Sequence, residues 1–351
     1  MKYRTFPNTD LAVSVVGFGV WTITTGWWGD FSDEDGARLL RKAYDLGVTL
    51  FDTADTYGNG RGEALLPLAL KDVREKVVYA TKFGYNFYDH GEKRDGQKEI
   101  PQDFSPDFVR YACEQSLKRL QTDYIDLYQI HNARLEQVRA EELFGVLEDL
   151  KAEGKIRHFG IALGPAIGWH AEGVAAIRER GVPSIQIIYN LLEQYPGNVF
   201  AQVARDEDKT GFLVRVPHSS GMLEGKYTED TVFGPKDHRR HRPRSWLING
   251  LKKIETLKFL TKGGKRTLGQ AAIQWILADP TMISTLPNIY DEEQLLEFAA
   301  ASDTPELTDP ELRQVDELRN KNFGVEEPPM TFKGIELDSP EAQEILAGAE
   351  S

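Results

Sequence analysis

Four side chains in the first 131 residues have the chemistry of a carbonyl-reducing set. Asp52 and Tyr57 stand five positions apart in FDTADTYG (51–58), Lys82 ends the apolar run VVYATK (77–82), and His131 ends IDLYQIH (125–131). A phenol titrates near pH 10 and releases its proton reluctantly at neutral pH. An ammonium beside it stabilises the phenolate, and a carboxylate beside the ammonium keeps the amine charged and aimed. An imidazole can hydrogen-bond the oxygen that the phenol protonates. The four together make a general acid facing a carbonyl oxygen, with an orienting donor beside it. Protein groups supply no hydride, so reduction by this set requires a reduced nicotinamide. Singly, each residue has an ordinary explanation: a surface lysine, a core histidine, an aspartate capping a turn. Their joint placement at or just past successive strand ends is what points to chemistry.

The elements that must position them are strands. Apolar runs at 15–20, 48–52, 77–82, 125–130, 157–161, 184–189, 211–216 and 282–286 read as strands, with helical patterns between them. Ser32 is placed to cap the helix that Gly47 stops, with Asp33, Glu34 and Asp35 in its first turn. Ser105 reads as a cap followed by proline at the first helical position, opening a helix through Leu120. Residues 139–153 and 267–279 show apolar spacing near 3.6. Eight strands alternating with helices predict a closed (β/α)8 TIM barrel, in which every strand end of this kind opens on one face. An open doubly wound sheet is disfavoured, because no glycine-rich dinucleotide fingerprint follows the first strand. KYRTF and LAVSVV around Pro7-Asn8-Thr9-Asp10 predict a hairpin ahead of the barrel. The whole chain reads as one domain, with the barrel at about 15–302 and a C-terminal extension at 303–351. Long connections at 83–104 and 217–266 read as lids or walls, the second with an extra helix near 246–262. The extension shows helical patterns at 308–320 and 340–348.

The formal charge of −13 argues against a nucleic-acid partner. One basic run, KDHRRHRPR (236–244), reads either as a solvated loop or as part of a binding belt. No apolar stretch approaches the roughly 20 residues that span a bilayer. The N-terminus lacks the apolar core of a signal peptide, and the single cysteine, Cys113, permits no internal disulfide and reads as a core residue. A reducing cytoplasm fits. Trp21, Trp27 and Trp28 follow the first strand and are candidate walls of a substrate pocket, with Tyr85, Phe87, Tyr88 and His218 as further candidates.

These residues resemble the aldo-keto reductase superfamily. The resemblance is carried by GFGVW (17–21), FDTADTYG, ATKFG (80–84), DLYQIH (126–131), EGKIRHFGIA (153–162), QIIYNLLEQ (186–194) and SSGMLEGKY (219–227), and runs to about Asp316. It implies a barrel closed below by the hairpin and a nicotinamide cofactor bound across the top without a Rossmann fold. It matches Asp52, Tyr57, Lys82 and His131 to a catalytic tetrad with Tyr57 as general acid, and Gln186 to the glutamine that holds the nicotinamide carboxamide. Ser219, Gly221, Leu223 and Gln294 are further cofactor contacts by the same resemblance. Aldehyde, ketone or sugar carbonyls are the implied small-molecule substrates.

Three departures bear on the cofactor. Ala162-Leu163 stands where the family has Ser-Asn for the carboxamide. Arg215 stands where an aromatic ring stacks on the nicotinamide, and is expected either to stack there or to hold cofactor phosphates. Tyr290 and Asp291 stand where a basic residue meets the adenosine 2′-phosphate, and Phe298 where asparagine is frequent. NADP(H) is the family's usual choice; without that cation, NAD(H) is a live alternative. Arg239, Arg240, Arg242 and Arg244 would compensate if their loop folded over the cofactor. Two rival readings are a redox-sensing or regulatory binding module like the potassium-channel beta subunits, which share the fold, and a metal-dependent barrel hydrolase. The second predicts paired histidine ligands, and no HxH pattern occurs at a strand end.

Overall fold

The computed structural model describes residues 1–90, 100–164 and 169–327. The helix expected at 340–348 and part of the 83–104 connection lie outside the described residues. A two-stranded antiparallel hairpin, β1 (Tyr3–Thr5) and β2 (Ala12–Ser14), precedes eight strands in sequential parallel order: β3 (Phe18–Gly19), β4 (Leu50–Asp52), β5 (Val78–Phe83), β6 (Ile125–His131), β7 (Ile156–Ala162), β8 (Ser184–Ile188), β9 (Gly211–Arg215) and β10 (Met282–Leu286). The two edges meet through a parallel bridge between Val16 and Thr285, with Gly17 N donating to Thr285 O (2.8 Å) and Thr285 N to Val15 O (2.9 Å). The barrel is thereby closed, as the strand–helix alternation predicts. The first strand is shorter than the run at 15–20, because a one-turn helix, Trp21–Thr24, takes over directly behind it.

Side-chain alternation along the strands divides the core in two. Outward residues such as Phe51, Tyr79, Tyr128, Ile130 and Ile161 pack under the surrounding helices. Inward residues Leu50, Val78, Ala80, Leu127 and Leu213 form a second cluster with Phe6, Leu11 and Val13 of the hairpin, which plugs the bottom. Two residues further along, the same inward rows carry Asp52, Lys82, Gln129 and Arg215, and two beyond Gln129, His131. The barrel is therefore apolar below and polar at its C-terminal mouth.

The helix ends follow local chemistry. Ser32 Oγ accepts from Asp35 N at 3.0 Å, and the helix Asp33–Asp45 ends before Gly47, whose φ of 91° only glycine adopts easily. Ser105 does not cap the helix Pro106–Leu120 through its side chain; its hydroxyl turns back to donate to Asp103 Oδ1 at 2.7 Å. The extra helix is seen at Arg244–Thr256, followed by 3-10 turns at Lys258–Gly264, and the first extension helix at Asp309–Asn320. Cys113 is fully buried in the outer core, where burial pushes its thiol up to about 12. None of the described helices is long and apolar enough to cross a membrane.

Candidate active site

Asp52 ends β4, Lys82 is the fifth residue of β5, and His131 ends β6, so parallel strands bring all three to one face. Tyr57 arrives from the turn after β4. That turn closes tightly: Gly62 starts the next helix so near it that a Cβ there would lie 2.5 Å from Thr53 Oγ1 and 3.0 Å from Tyr57 Cβ. Lys82 Nζ lies 2.6 Å from Asp52 Oδ1, donates also to Thr53 O at 2.6 Å, and stands 5.0 Å from the centre of the Tyr57 ring. The Tyr57 and His131 rings meet edge to face with centroids 6.1 Å apart. Burial, reinforced by the positive charges of Lys82 and Arg215, holds His131 well below the usual imidazole range. The structure thus brings the four sequence-predicted residues together.

Behind them sits a polar layer in which the motifs singled out Gln186 but not Gln129 or Asn132. Asp52 Oδ2 accepts from Gln129 Nε2 at 3.0 Å and from Gln186 Nε2 at 2.9 Å, so the buried carboxylate is held on both oxygens. Counting back two positions from His131 along its inward row would have found Gln129. Asn132, at φ 56°, donates its amide to Tyr85 OH at 2.5 Å, and the Tyr85 ring lies 5.0 Å from that of His131. Asn132 Oδ1 and His131 Nδ1 are buried without partners.

Asp52, Tyr57, His131, Asn132, Gln186 and Arg215 line the inner part of a cavity of about 470 Å³. Its mouth is aromatic. Trp21 meets Trp27 and Trp28 edge to face at 5.8 and 6.0 Å, and the loop at 236–244 crosses over so that His238 stacks on Trp27 at 5.0 Å. Trp28 stacks on Tyr290 at 5.7 Å, with the Arg239 guanidinium 4.4 Å from the Trp28 ring centre. The basic loop is therefore split: Arg240 and Arg244 bond to nearby main-chain oxygens and face solvent, while His238 and Arg242 line the cavity.

The cofactor positions named from sequence are spread unevenly. Gln186 and Arg215 line the cavity. Ser219 Oγ bonds Glu193 Oε2 at 3.1 Å, and the N–H groups of Gly221 and Leu223 both donate to His218 O. Their neighbour Ser220 is the residue of that loop on the cavity wall. Gln294 caps its own helix start and donates to Glu224 Oε2 at 2.9 Å. His218 is buried against the Phe298 ring, and burial holds its imidazole down to about 4 although its Nε2 meets Gly269 O; the Phe87 and Tyr88 rings pack together beside Arg119. The strand end before Ser219 is strained: Val216, a β-branched residue, sits at φ 56°, followed by Ser219 at 47° and Ser220 at 57°.

A profile of the Aldo/keto reductase family matches residues 15–320. The chain belongs to this family. Among its relatives, an aldo-keto reductase of Bacillus subtilis (YhdN) is 31% identical over 80% of this chain and 82% of its own length. The NADH-specific methylglyoxal reductase of Escherichia coli is 30% identical over 86% of this chain and 93% of its own length. Among solved structures, a glycerol dehydrogenase from Gluconobacter oxydans superimposes with a TM-score of 0.79, at 26% identity, covering 94% of this chain and 99% of that one. Aldo/keto reductases are nicotinamide-dependent oxidoreductases acting on carbonyls and alcohols. The cavity's donor set suits such a cofactor. Asn132 Oδ1 is a buried acceptor with no partner beside Gln186, where a carboxamide could bind, and Arg242 lies 3.4 Å from Ser220 Oγ at the rim, where a phosphate could be held.

Proposed function

We propose that this aldo/keto reductase interconverts a small aldehyde, ketone or sugar carbonyl with its alcohol, with Tyr57 as general acid in reduction and general base in oxidation. One observation carries the reading: an ammonium held 2.6 Å from a buried carboxylate stands against the face of the Tyr57 ring, on a cavity that His131 also lines. When bound there, a reduced nicotinamide supplies the hydride. The Tyr57 hydroxyl gives its proton to the carbonyl oxygen. Lys82 then faces a developing phenolate, and Asp52, fixed by Gln129 and Gln186, keeps Lys82 oriented. His131 stays neutral. Its Nδ1 is enclosed without an acceptor, so its proton belongs on Nε2, the nitrogen left to hydrogen-bond the substrate oxygen. Trp21 and Trp28 would screen the reacting end from water and pack against the substrate carbons.

The residues favour NAD(H). Tyr290 is stacked on Trp28, Asp291 caps a helix, and Arg239 is committed in a fork to Asp237 (2.8 and 2.6 Å) and to Tyr227 OH (2.5 Å). These contacts leave none of the three free to take a 2′-phosphate. The similarity to an enzyme named as NADH-specific supports the same choice. A panel of small aldehydes, ketones, sugars and polyols, run with both forms of both cofactors, tests the reading. Turnover with several carbonyls and NADH binding at least as tightly as NADPH is expected. No turnover with any member, despite bound cofactor, would overturn the enzymatic reading; NADPH binding tenfold tighter would overturn the cofactor choice.

A further inference from the structure

We infer that Arg215 sets the balance between the two redox forms of the cofactor: its uncompensated charge on the wall of the reacting cavity makes the site hold the neutral dihydronicotinamide more tightly than the nicotinamide cation. The inference rests on the nicotinamide reading of the cavity and goes beyond it.

The placement of Arg215 follows from the barrel. It ends β9 on the inward row, two residues after Leu213, and pairs in register with Ile188 on β8 and Leu286 on β10. Its Nη2 donates to Leu163 O at 2.6 Å and Gly164 O at 2.7 Å, where the chain leaves β7. These carbonyls take both Nη2 hydrogen bonds but carry no charge. Among the described residues no carboxylate makes an ion pair with Arg215, and its Nε is buried without a partner. The arrangement is pinned behind by Val216 in its strained conformation.

The rest of the cavity wall does not cancel this charge. Lys82 and Asp52 neutralise each other at 2.6 Å, and Gln129 and Gln186 are neutral amides that occupy the remaining Asp52 oxygen. His131 is held neutral by burial. Arg242 adds a second cation at the rim. Glu193 is the other acid on the wall; its Oε2 accepts from Asn190 at 2.7 Å and Ser219 at 3.1 Å and makes no ion pair with Arg215, so outside the Lys82–Asp52 pair the wall sets two guanidinium groups against one carboxylate. A ring that passes hydride to a carbon whose oxygen meets Tyr57 and His131 must lie in this cavity, and so shares it with Arg215. The oxidised ring carries a positive charge and the reduced ring none. Two like charges several ångströms apart at an effective dielectric near 20 repel enough to shift an equilibrium by about tenfold or more. The consequence for turnover is directional: reduced cofactor is retained, and oxidised cofactor is pushed out after reduction.

The test is binding, independent of turnover. The dissociation constants of NADH, NAD+, NADPH and NADP+ are measured by quenching of tryptophan fluorescence, for the wild type, Arg215→Met and Arg215→Lys, with circular dichroism to confirm folding. The wild type should bind the reduced form of its preferred cofactor at least about tenfold more tightly than the oxidised form. That ratio should fall about tenfold in Arg215→Met and persist in Arg215→Lys, which keeps the charge and loses the fork. A wild-type ratio near one would overturn the inference without any variant. So would a Met variant whose ratio stays within about twofold of wild type. If none of the four nucleotides binds the wild type, the nicotinamide reading itself falls; if all bind and only the ratio is indifferent to Arg215, that reading stands and this inference alone is lost.

Discussion

The two ends of the barrel each bury an aspartate against cations, and they do it differently. At the bottom, Asp126 on β6 is fully enclosed. Its Oδ2 accepts from Tyr79 N (2.9 Å) and forms an ion pair with Arg74 Nη2 (2.8 Å), and its Oδ1 accepts from Arg157 Nη1 (2.6 Å). Arg157 reaches on to Asp10 in the hairpin, which also meets His158, while the Arg74 guanidinium lies over the rings of Tyr79 and Tyr124 and donates to Val77 and Tyr124 carbonyls. At the top, Asp52 has one cation, Lys82, and its neighbours leave polar atoms unmatched: His131 Nδ1, Asn132 Oδ1 and Arg215 Nε. The bottom is a charge network whose carboxylate oxygens are all met within the protein, although the Tyr79 hydroxyl beside it is unpartnered, and it fastens the plug. The top is a charge network whose residues line a cavity and keep polar atoms unmatched, as a site that receives a ligand does.

That contrast can be broken from the top first. Tyr57→Phe should lower turnover about a thousandfold or more while cofactor affinity, read by fluorescence titration, stays within about twofold of wild type. Retention of most activity would remove Tyr57 as the acid. Lys82→Met should cost on the order of a hundredfold in turnover and about 3 kcal/mol in urea unfolding, since Asp52 is left buried without its cation. At the bottom, Asp126→Ala should cost a comparable ~3 kcal/mol, by leaving Arg74 without its carboxylate and Arg157 with Asp10 alone, with kcat per folded molecule unchanged. An activity loss as large as that of Lys82→Met would erase the distinction between the ends.

The pH dependence of stability sharpens the same comparison. His131 and His218, both at the top, are held neutral by burial, below the ordinary value of 6.5 and, for His218, at about 4. Below pH 6.5 the unfolded chain takes up protons at these sites and the native chain does not, so stability falls as pH drops. The expected slope is about 1.4 kcal/mol per pH unit for each histidine, ending for His218 near pH 4. Unfolding midpoints at pH 7.5 and 5.5, for wild type and His218→Gln, measure it; equal slopes in the two proteins would contradict it. The smallest effect is at Glu224, whose carboxyl is pushed up to about 7 by burial, with Oε1 unpartnered. The native chain there holds a proton that the unfolded chain has lost, so this group favours folding below pH 4.5 and loses that contribution as pH rises through 7. Glu224→Gln should therefore gain about 1–2 kcal/mol at pH 8 and almost nothing at pH 5, by thermal unfolding without cofactor.

Much of this architecture was legible because it is periodic. Inward alternation fixed which residues of β4, β5 and β6 face the barrel axis, and parallel order put their ends on one face, so Asp52, Lys82 and His131 could be placed by counting. Tyr57 followed because a five-residue step spans one tight turn. What escaped was set by contacts between elements distant in sequence. The clamp of Gln129 and Gln186 on Asp52 depends on three strands meeting in one layer. The stacking of His238 on Trp27 and of Tyr290 on Trp28 depends on where a long loop lands, for which no local pattern exists. Ser105 fails to cap its helix because its hydroxyl is turned back toward Asp103, two residues before it, a contact that the Ser-Pro pattern does not reveal. Arg215 was legible as an anomaly in its strand, but its lack of a counter-charge could be seen only in three dimensions.

The central claim, that hydride reaches a carbonyl carbon while Tyr57 protonates the oxygen, is tested most directly by isotope transfer in a single turnover. Wild-type protein is loaded with reduced nicotinamide deuterated at C4, mixed with the best carbonyl of the panel in ordinary water, and the alcohol is analysed by mass spectrometry. One C4 epimer of the cofactor should deliver one deuterium to the carbinol carbon, and in the reverse labelling, deuterated water with unlabelled cofactor, that carbon should carry none. Deuterium arriving at carbon from solvent, or none arriving from either cofactor epimer, would contradict it.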